Sequence, residues 1–565
     1  MDQPDVSLHD HARAAAAIAG ALYRYHEAKN QLDDAAAIKD KKAKKFRLIA
    51  GDLSGIQHSL FLLASQQVKG VNRILRARSF LMGLLMESAA LEVRERLHLD
   101  AFATLQMAGG RFLILTGDVP GVEVEVAGAR SAIERFMYER YLGELALNVA
   151  VSEPFEGELF LNDHFGQALS LASIAVEEWK QKPFSTCLTP VMRNARYPHG
   201  VCTACGVRPA ASPRPEAPED PPRCRTCEDE RRLGGDLPNL VQWSWSREPG
   251  ERGRTLKLWG DLWLRWHTAP MLMNHTVLGA ARLPADDWNP QGHGAVRAVA
   301  NYIPRLSATD NAEGRYDRLS EEARAAAPGE PKTFEHLAAD ALEMGDDQSW
   351  VGQPLLAVVK ADVDRLGAIF RQGIENPGLG RFAGLSRMMD FFFTAQLPEM
   401  IRREFPGMYT VYAGGDDLLL LGPWQMALRF VLRLRAEFDA WVGGNPDVTL
   451  SAAVEFIKPE EPLNRAVIRA ERRLDAAKNG GRNKVSAVDG GVHPWPEFAG
   501  QLMQADQVYQ LIRDGVVGQS FLYRLLELDA SRCRMEPSGE NGKTGSQSAD
   551  ANWRAKWGYQ LARNI

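Results

Sequence analysis

Cysteine is scarce in this chain, with six in 565 residues, too few for a disulfide scaffold. An excess of positive charge is also lacking. Sixty-seven Lys and Arg face 72 Asp and Glu, which excludes a generally basic nucleic-acid binder though not a local basic groove. No uninterrupted apolar run is long enough to span a bilayer. The opening MDQPDVSLHDHARAAAAIAG places acids early and has no basic region leading into an apolar core, so it does not read as a signal peptide. The expectation is a cytoplasmic protein with no membrane partner. Its length is too great for one core and predicts about three to five domains.

Two blocks are strongly patterned. In the later one, PLLAVVKADVD reads as a buried strand by its β-branched run. LSRMMDFFFTAQLPEMIRREF has helical spacing at Met388, Met389, Phe392, Phe393, Leu397 and Ile401. MYTVYA and LLLLG form a hairpin through GGDD. VTLSAAVEFI is a further strand, PLNRAVIRAERRLDAAK a helix opened by Pro462, and NKVSAV a closing strand. The order predicts the split β-α-β-β-α-β, ferredoxin-like plan. Residues 46 to 116 repeat its first half: GDLSG stands where ADVDRLG stands later, and AGGRF where AGGDD stands. Outside these blocks, SLHDHARAAAAIAGALYRYHEA reads as a helix capped by Ser7, and KDKKAKKF (39 to 46) as a basic, solvated connector. Residues 206 to 223 form a Pro-rich loop, and 240 to 350 carry little pattern.

In the split plan the third strand lies between the first and second, antiparallel to both. Asp362, ending the first strand, therefore meets Asp416 and Asp417 at the turn. Like charges that close take up protons or hold a cation. Hard oxygen ligands with open positions suit magnesium or manganese serving phosphoryl or nucleotidyl transfer. Gly414 and Gly415 leave room for a triphosphate. Lys478 and Arg482, following a helix, are candidate cations for its β- and γ-phosphates; the plainer alternative is a helix end with favourable positive charge. An Asp-rich solvated hairpin is the plainer alternative for GGDD.

Cys202, Cys205, Cys224 and Cys227 form C-x-x-C, eighteen residues, C-x-x-C, the spacing of a four-thiolate zinc ribbon. A closed four-sulfur site has no open position, so its role is structural. Cys187 and Cys533 are read as packing residues.

GDLSGIQ, LRARSF, GGRF, CTAC…CRTC, KADVDRLGAIF and YAGGDD occur in an order that resembles the large, polymerase-like subunit of type III CRISPR effector complexes, nearer the subtype A or D form than B. The resemblance covers roughly residues 7 to 530. It implies an α+β multidomain protein with two ferredoxin-like palm domains, a zinc ribbon and a C-terminal helical domain. The expected boundaries are 1–45 for the end of an HD domain, 46–180 for the first palm and 181–245 for the ribbon. A connecting region then takes 246–350, the second palm 351–490 and the helical domain 491–565.

The implied activity is target-RNA-activated linkage of ATP, bound between the paired palms, into 3′–5′ cyclic oligoadenylates. Asp362, Asp416 and Asp417 would hold the metal ions, and Lys478 and Arg482 would steady the triphosphate. The first palm has Arg111 and Phe112 where the second has Asp416 and Asp417, so it should bind a nucleotide without catalysing, through the Ser54–Gly55 turn. Implied partners are CRISPR RNA, target RNA, the guide-end-binding subunit and the small helical subunit, which would dock on the C-terminal helices. Relatives of this kind also carry an HD nuclease. Here Asp10 and His11 match only its final DH, and His9-Asp10 lacks the metal-binding context, so DNase activity is expected to be absent. The AK…GRN ending also resembles GGDEF cyclases. A stand-alone dinucleotide cyclase and a silent scaffold are therefore the rival readings; duplication within one chain speaks against the first and the intact aspartates against the second.

Overall fold

The structure, a computed structural model, describes residues 6–524 except 64–69, 162–163, 188–195, 213–219, 251–252, 272–275, 284–294, 311–313, 346, 375–377, 488–489 and 519. Cys533, the polar run 535–552 and the end of the expected docking helices lie outside them. The chain divides into two compact units, Met1–Val492 and His493–Ile565. In the second, helix Trp495–Arg513 exposes Met503, Tyr509 and Leu511.

The first unit opens with helix α1, Leu8–Ala28. The Ser7 hydroxyl caps it by accepting from the Asp10 N–H at 3.1 Å. The basic connector is shorter than expected. Ala35–Lys39 is helical and strand β1, Lys44–Ser54, begins inside it. Lys45 is buried, its ammonium taken up by the carbonyls of Ala37 and Ile38 at the end of that helix.

After β1 come α2 (Val71–Arg96), β2 (Thr104–Ala108), β3 (Arg111–Gly117), α3 (Val122–Tyr141), β4 (Ala146–Val151) and α4 (Phe165–Lys180). The sheet order is β2-β3-β1-β4, every pair antiparallel. The repeat therefore runs through a complete β-α-β-β-α-β unit and an added helix, beyond the half visible in sequence.

Helix α5, Arg225–Asp236, starts at Cys224 and packs on α2. The stretch with little pattern holds a further five-stranded sheet. Its centre is Gln242–Ser246, between Trp263–His267 and Val277–Arg282. Trp243, Trp245 and Trp266 are buried there.

The second repeat consists of β5 (Leu356–Val363), α6 (Leu379–Phe391), a π-helical turn Phe392–Gln396, α7 (Leu397–Glu404), β6 (Tyr409–Gly414), β7 (Asp417–Pro423), α8 (Trp424–Trp441), β8 (Leu450–Ile457), α9 (Leu463–Asn479) and β9 (Lys484–Ala487). Its strand order is β6-β7-β5-β8-β9. The second crossover helix is thus α8, not the helix opened by Pro462. That helix, α9, covers the sheet and leads to β9, which pairs parallel with β8 outside the six-element plan. Leu356 to Ala361 and Leu418 to Leu421 are buried at every position. Central strands covered on both faces need such continuous apolar runs.

Candidate functional site

Strand pairing brings the predicted carboxylates together. Asp362 lies directly opposite Asp417 in the antiparallel β5–β7 pair, so both side chains leave the same face. The Val363 N–H donates to the Asp416 carbonyl at 2.9 Å, fixing the hairpin tip onto the strand end. The Tyr412 hydroxyl donates to Asp417 at 3.0 Å. The Lys478 ammonium, from the last turn of α9, pairs with Asp362 at 2.7 Å. Two residues back along β5, on the same face, the buried Lys360 pairs with Glu471 of α9.

Removal from water makes these charges costly. Burial pushes Asp417 up to about 7, with repulsion from Asp416 and Asp362 added and Lys360 opposing. Burial likewise pushes Asp362 up to about 6, with Lys478 pulling the other way, and raises Asp416. Lys360 is pushed down to about 8 by burial. The corner therefore carries more negative charge than its lysines balance comfortably. The three carboxylates converge without closing: among the described residues, only the four cysteines bring three or more ligand atoms all within 4.8 Å of one another.

Of the two predicted phosphate cations, Lys478 reaches the acidic corner, and Arg482 shapes the turn behind it. Gly481, Arg482 and Asn483 are all left-handed, with φ of 116°, 63° and 49°. Asp364, which the sequence reading left without a role, holds that turn. Its carboxylate accepts from the Asn483 N–H at 2.9 Å and from the Thr449 and Ser451 hydroxyls at 2.7 Å each. A buried carboxylate with three donors is satisfied, so Asp364 is a strut for the segment after Lys478.

In the first repeat the corner is built differently. Asp52 lies opposite Arg111, and the Leu53 N–H donates to the Gly110 carbonyl at 2.9 Å. Gly110 thus stands where Asp416 stands and Arg111 where Asp417 stands. The expected match of Arg111 and Phe112 to the two aspartates is one residue out of register, and Phe112 is instead a core residue opposite Gly51. The Arg111 Nε donates to Asp52 at 2.8 Å, and the Lys180 ammonium meets the other Asp52 oxygen at 2.9 Å. Lys180, in the last turn of α4, is the counterpart of Lys478. No motif marked it; continuing the repeat past residue 116 would have found it. Ser54 donates to Asp52 at 3.3 Å, and Gly55 adopts φ 88° at the start of a short helix, Ile56–Leu60. A Cβ at Gly55 would stand 2.3 Å from the Glu144 carbonyl, so only glycine fits that turn.

The two hairpins meet tip to tip. A Cβ on Gly415 would lie 2.5 Å from the Gly109 Cα. Beside this contact is a cavity of about 380 Å³ lined by Asp362, Gly414, Gly415, Asp416 and Asp417 from one repeat and Gly109 to Arg111 from the other. Neither Ser54, Gly55, Lys478 nor Arg482 lines it, whereas Ile56 and Gln57 do. Its far wall holds Glu87 of α2, paired with Arg297 at 3.0 Å, and Asp390 of α6, which burial pushes up.

Cys202, Cys205, Cys224 and Cys227 are all buried. The Cys227 N–H points at the Cys224 sulfur at 3.4 Å and the Arg208 N–H at the Cys205 sulfur at 3.4 Å. Arg78 of α2 reaches Cys227 at 3.5 Å while pairing with Glu230 at 2.8 Å and donating to the Ser59 and Leu62 carbonyls. Four buried sulfurs in mutual reach fit a tetrahedral thiophilic ion. Cys187 is half-buried and outside the cluster.

Comparison with known families gives the same two blocks. The second palm domain of Cas10/Cmr2 matches residues 355–486, and domain B of the Csm1 subunit matches residues 45–194. In these two blocks the chain is similar to the Cas10/Csm1 family. A Cas10/Csm1 protein of Thermococcus onnurineus, described as a single-strand-specific deoxyribonuclease of subtype III-A, is 28% identical over 514 residues, 86% of this chain and 60% of its own. The Methanocaldococcus jannaschii counterpart is 25% identical over 84% of this chain and 63% of its own. The chain thus spans less than two thirds of the length of these relatives. Among solved structures, the apo Csm1–Csm4 cassette aligns with a TM-score of 0.72 at 22% identity, covering 99% of this chain and 70% of that one. The cassette in complex with cA3 aligns at 0.70, also at 22% identity, over 94% of this chain and 68% of that one.

Proposed function

We propose that this chain links ATP into 3′–5′ cyclic oligoadenylates as the large subunit of a type III CRISPR effector complex, triggered by target RNA paired to the guide. The observation that carries this is Asp362 standing opposite Asp417, beside Asp416, at the mouth of a cavity shared by two like-folded repeats. Relatives crystallised with cA3 and with AMPPNP support the reading. Both repeats are read as palm domains and the cysteine module as a zinc ribbon.

The donor set fits a hard divalent cation, since three carboxylates raised by burial, Asp362 and Asp417 also by repulsion from their neighbours, gain most from one. Magnesium or manganese held by Asp362, Asp416 and Asp417 would supply activation of the attacking 3′-hydroxyl and charge neutralisation on the transferring phosphate. Lys478 exchanges Asp362 for a phosphate oxygen as the triphosphate enters, and Arg482 stands behind it. Gly414 and Gly415 let the nucleotide lie against backbone. Zinc on the four thiolates is structural, joining the ribbon to α2 through Arg78. The partners in this reading are the guide-end-binding and small helical subunits, CRISPR RNA and target RNA.

The reading includes no nuclease centre at the N-terminal helix. Asp10 is engaged by Arg387 at 2.9 and 2.7 Å and by the Ser7 hydroxyl at 2.7 Å, leaving no free carboxylate oxygen for a metal. A silent scaffold draws on one observation, the Lys478 ammonium already seated on Asp362.

The test is to incubate the assembled complex with labelled ATP, magnesium or manganese, and cognate target RNA, and to identify products by mass. Wild type yields cyclic oligoadenylates. The Asp416→Ala, Asp417→Ala double variant assembles and yields none. Unchanged products in that variant refute the site, and an inert wild type favours the scaffold.

A further inference from the structure

We infer that Arg111 is a phosphate-binding residue that works without metal: it receives the phosphates of a nucleotide seated on the first repeat, at the position where the second repeat places a metal-binding carboxylate. The inference rests on the reading that nucleotides occupy the cavity at the hairpin tips.

Three observations carry it. Register places Arg111 opposite Asp52 as Asp417 is placed opposite Asp362. Its Nε is committed to Asp52, while Nη1 and Nη2 have no partner among the described residues and the side chain is 62% exposed. It lines the same cavity as Asp416 yet makes no ion pair with it among the described contacts. A guanidinium pinned through Nε has a fixed plane, and its two outer nitrogens form a fork matched to phosphate oxygens. Lys180 holds the other Asp52 oxygen and is itself met by Glu177, so both Asp52 oxygens are occupied while the outer Arg111 nitrogens stay open. An anion would complete that open fork, and the pinning reduces the ordering cost of binding it.

The contrast with the acidic corner supplies the test. Binding of a non-hydrolysable ATP analogue to the assembled complex is measured by equilibrium dialysis with excess chelator and, separately, with magnesium. In chelator, wild type retains about one analogue per chain. Arg111→Ala weakens this metal-free site by about tenfold to a hundredfold, the worth of a charge-assisted contact, whereas Asp416→Ala with Asp417→Ala, which removes negative charge from the same cavity, does not weaken it. Should the alanine variant melt early, Arg111→Gln, which keeps an N–H for Asp52 and loses the charge, shows the same weakening. Wild-type affinity in both Arg111 variants, or no binding by wild type in chelator, overturns the inference. An inert acidic corner with intact, Arg111-dependent binding in chelator would refute only the proposed synthesis.

Discussion

The two repeats share strand order, an aspartate ending the first strand, a glycine hairpin facing it and a lysine from the last helix. Their charge balance is opposite. Asp52 is answered inside the protein by Arg111 and Lys180, whereas Asp362 faces Asp416 and Asp417 and has Lys478 alone. A corner satisfied by its own side chains has no need of a metal. One held deprotonated at a cost gains from any divalent cation that enters. In the proposed reading, two substitutions in one hairpin separate a site for chemistry from a site for binding.

The sharpest way to break this contrast is to remove the shared aspartate in each repeat. Asp362→Asn should lower oligoadenylate formation at least about a thousandfold, the scale of losing a metal ligand at a charged transition state. Asp52→Asn, which unpins Arg111, should cost about tenfold, and chiefly in KM. Similar losses in both variants would erase the asymmetry.

Stripping the cysteine cluster tests a feature outside the duplication that borders both halves. Its sulfurs share a buried cluster with Leu75 of α2 and with Val358 and Tyr409 of the second repeat. Metal analysis should find one zinc per chain. Strong chelation or Cys224→Ser should lower the melting temperature by roughly 10 °C or more, since structural zinc contributes directly to folding.

The turn after the first strand gives a third comparison. Gly55 and Arg365 are both left-handed there, with φ of 88° and 57°. Gly55→Ala meets the Glu144 carbonyl and should cost about 2–4 kcal/mol by thermal or chemical denaturation. Arg365→Gly relieves the strained backbone at an entropic cost and should change stability by less than about 1 kcal/mol. A severe loss in Arg365→Gly would show that its side chain carries more than the turn.

The smallest effect is in pH. A carboxyl raised by folding binds its proton more tightly in the folded state than in the unfolded chain. The metal-free protein therefore loses stability from Asp362 and Asp417 as pH rises from 3.8 through about 7. A divalent ion needs the deprotonated form, so the melting shift given by magnesium should be small near pH 5 and grow toward pH 8. A shift of constant size across that range would contradict the assignment.

The acidic corner was legible because strand alternation and a glycine hairpin fix the register of Asp362 against Asp417. The first repeat was legible only by half. LNVAV and FGQALSLASIAVEEWK share no motif with their counterparts, so Lys180 emerged only in three dimensions. The register slip at Arg111 has a backbone cause. Gly109 and Gly110 occupy both loop positions with positive φ, whereas in the second hairpin Gly414 still pairs within the strand and only Gly415 is left-handed. Aligning glycine to glycine therefore shifts the acids by one. The Trp-rich sheet was missed although QWSWS alternates polar and aromatic residues at strand period; in the fold all five are buried.

At the tips of the two hairpins, bare main chain meets bare main chain, with no side chain to act as a spring. Movement of one half at this contact bears directly on the turn that holds Asp416, one residue beyond the point of touch. A partner gripping either half could then tune the reacting groups by fractions of an ångström, as a clamp sets the gap between its jaws.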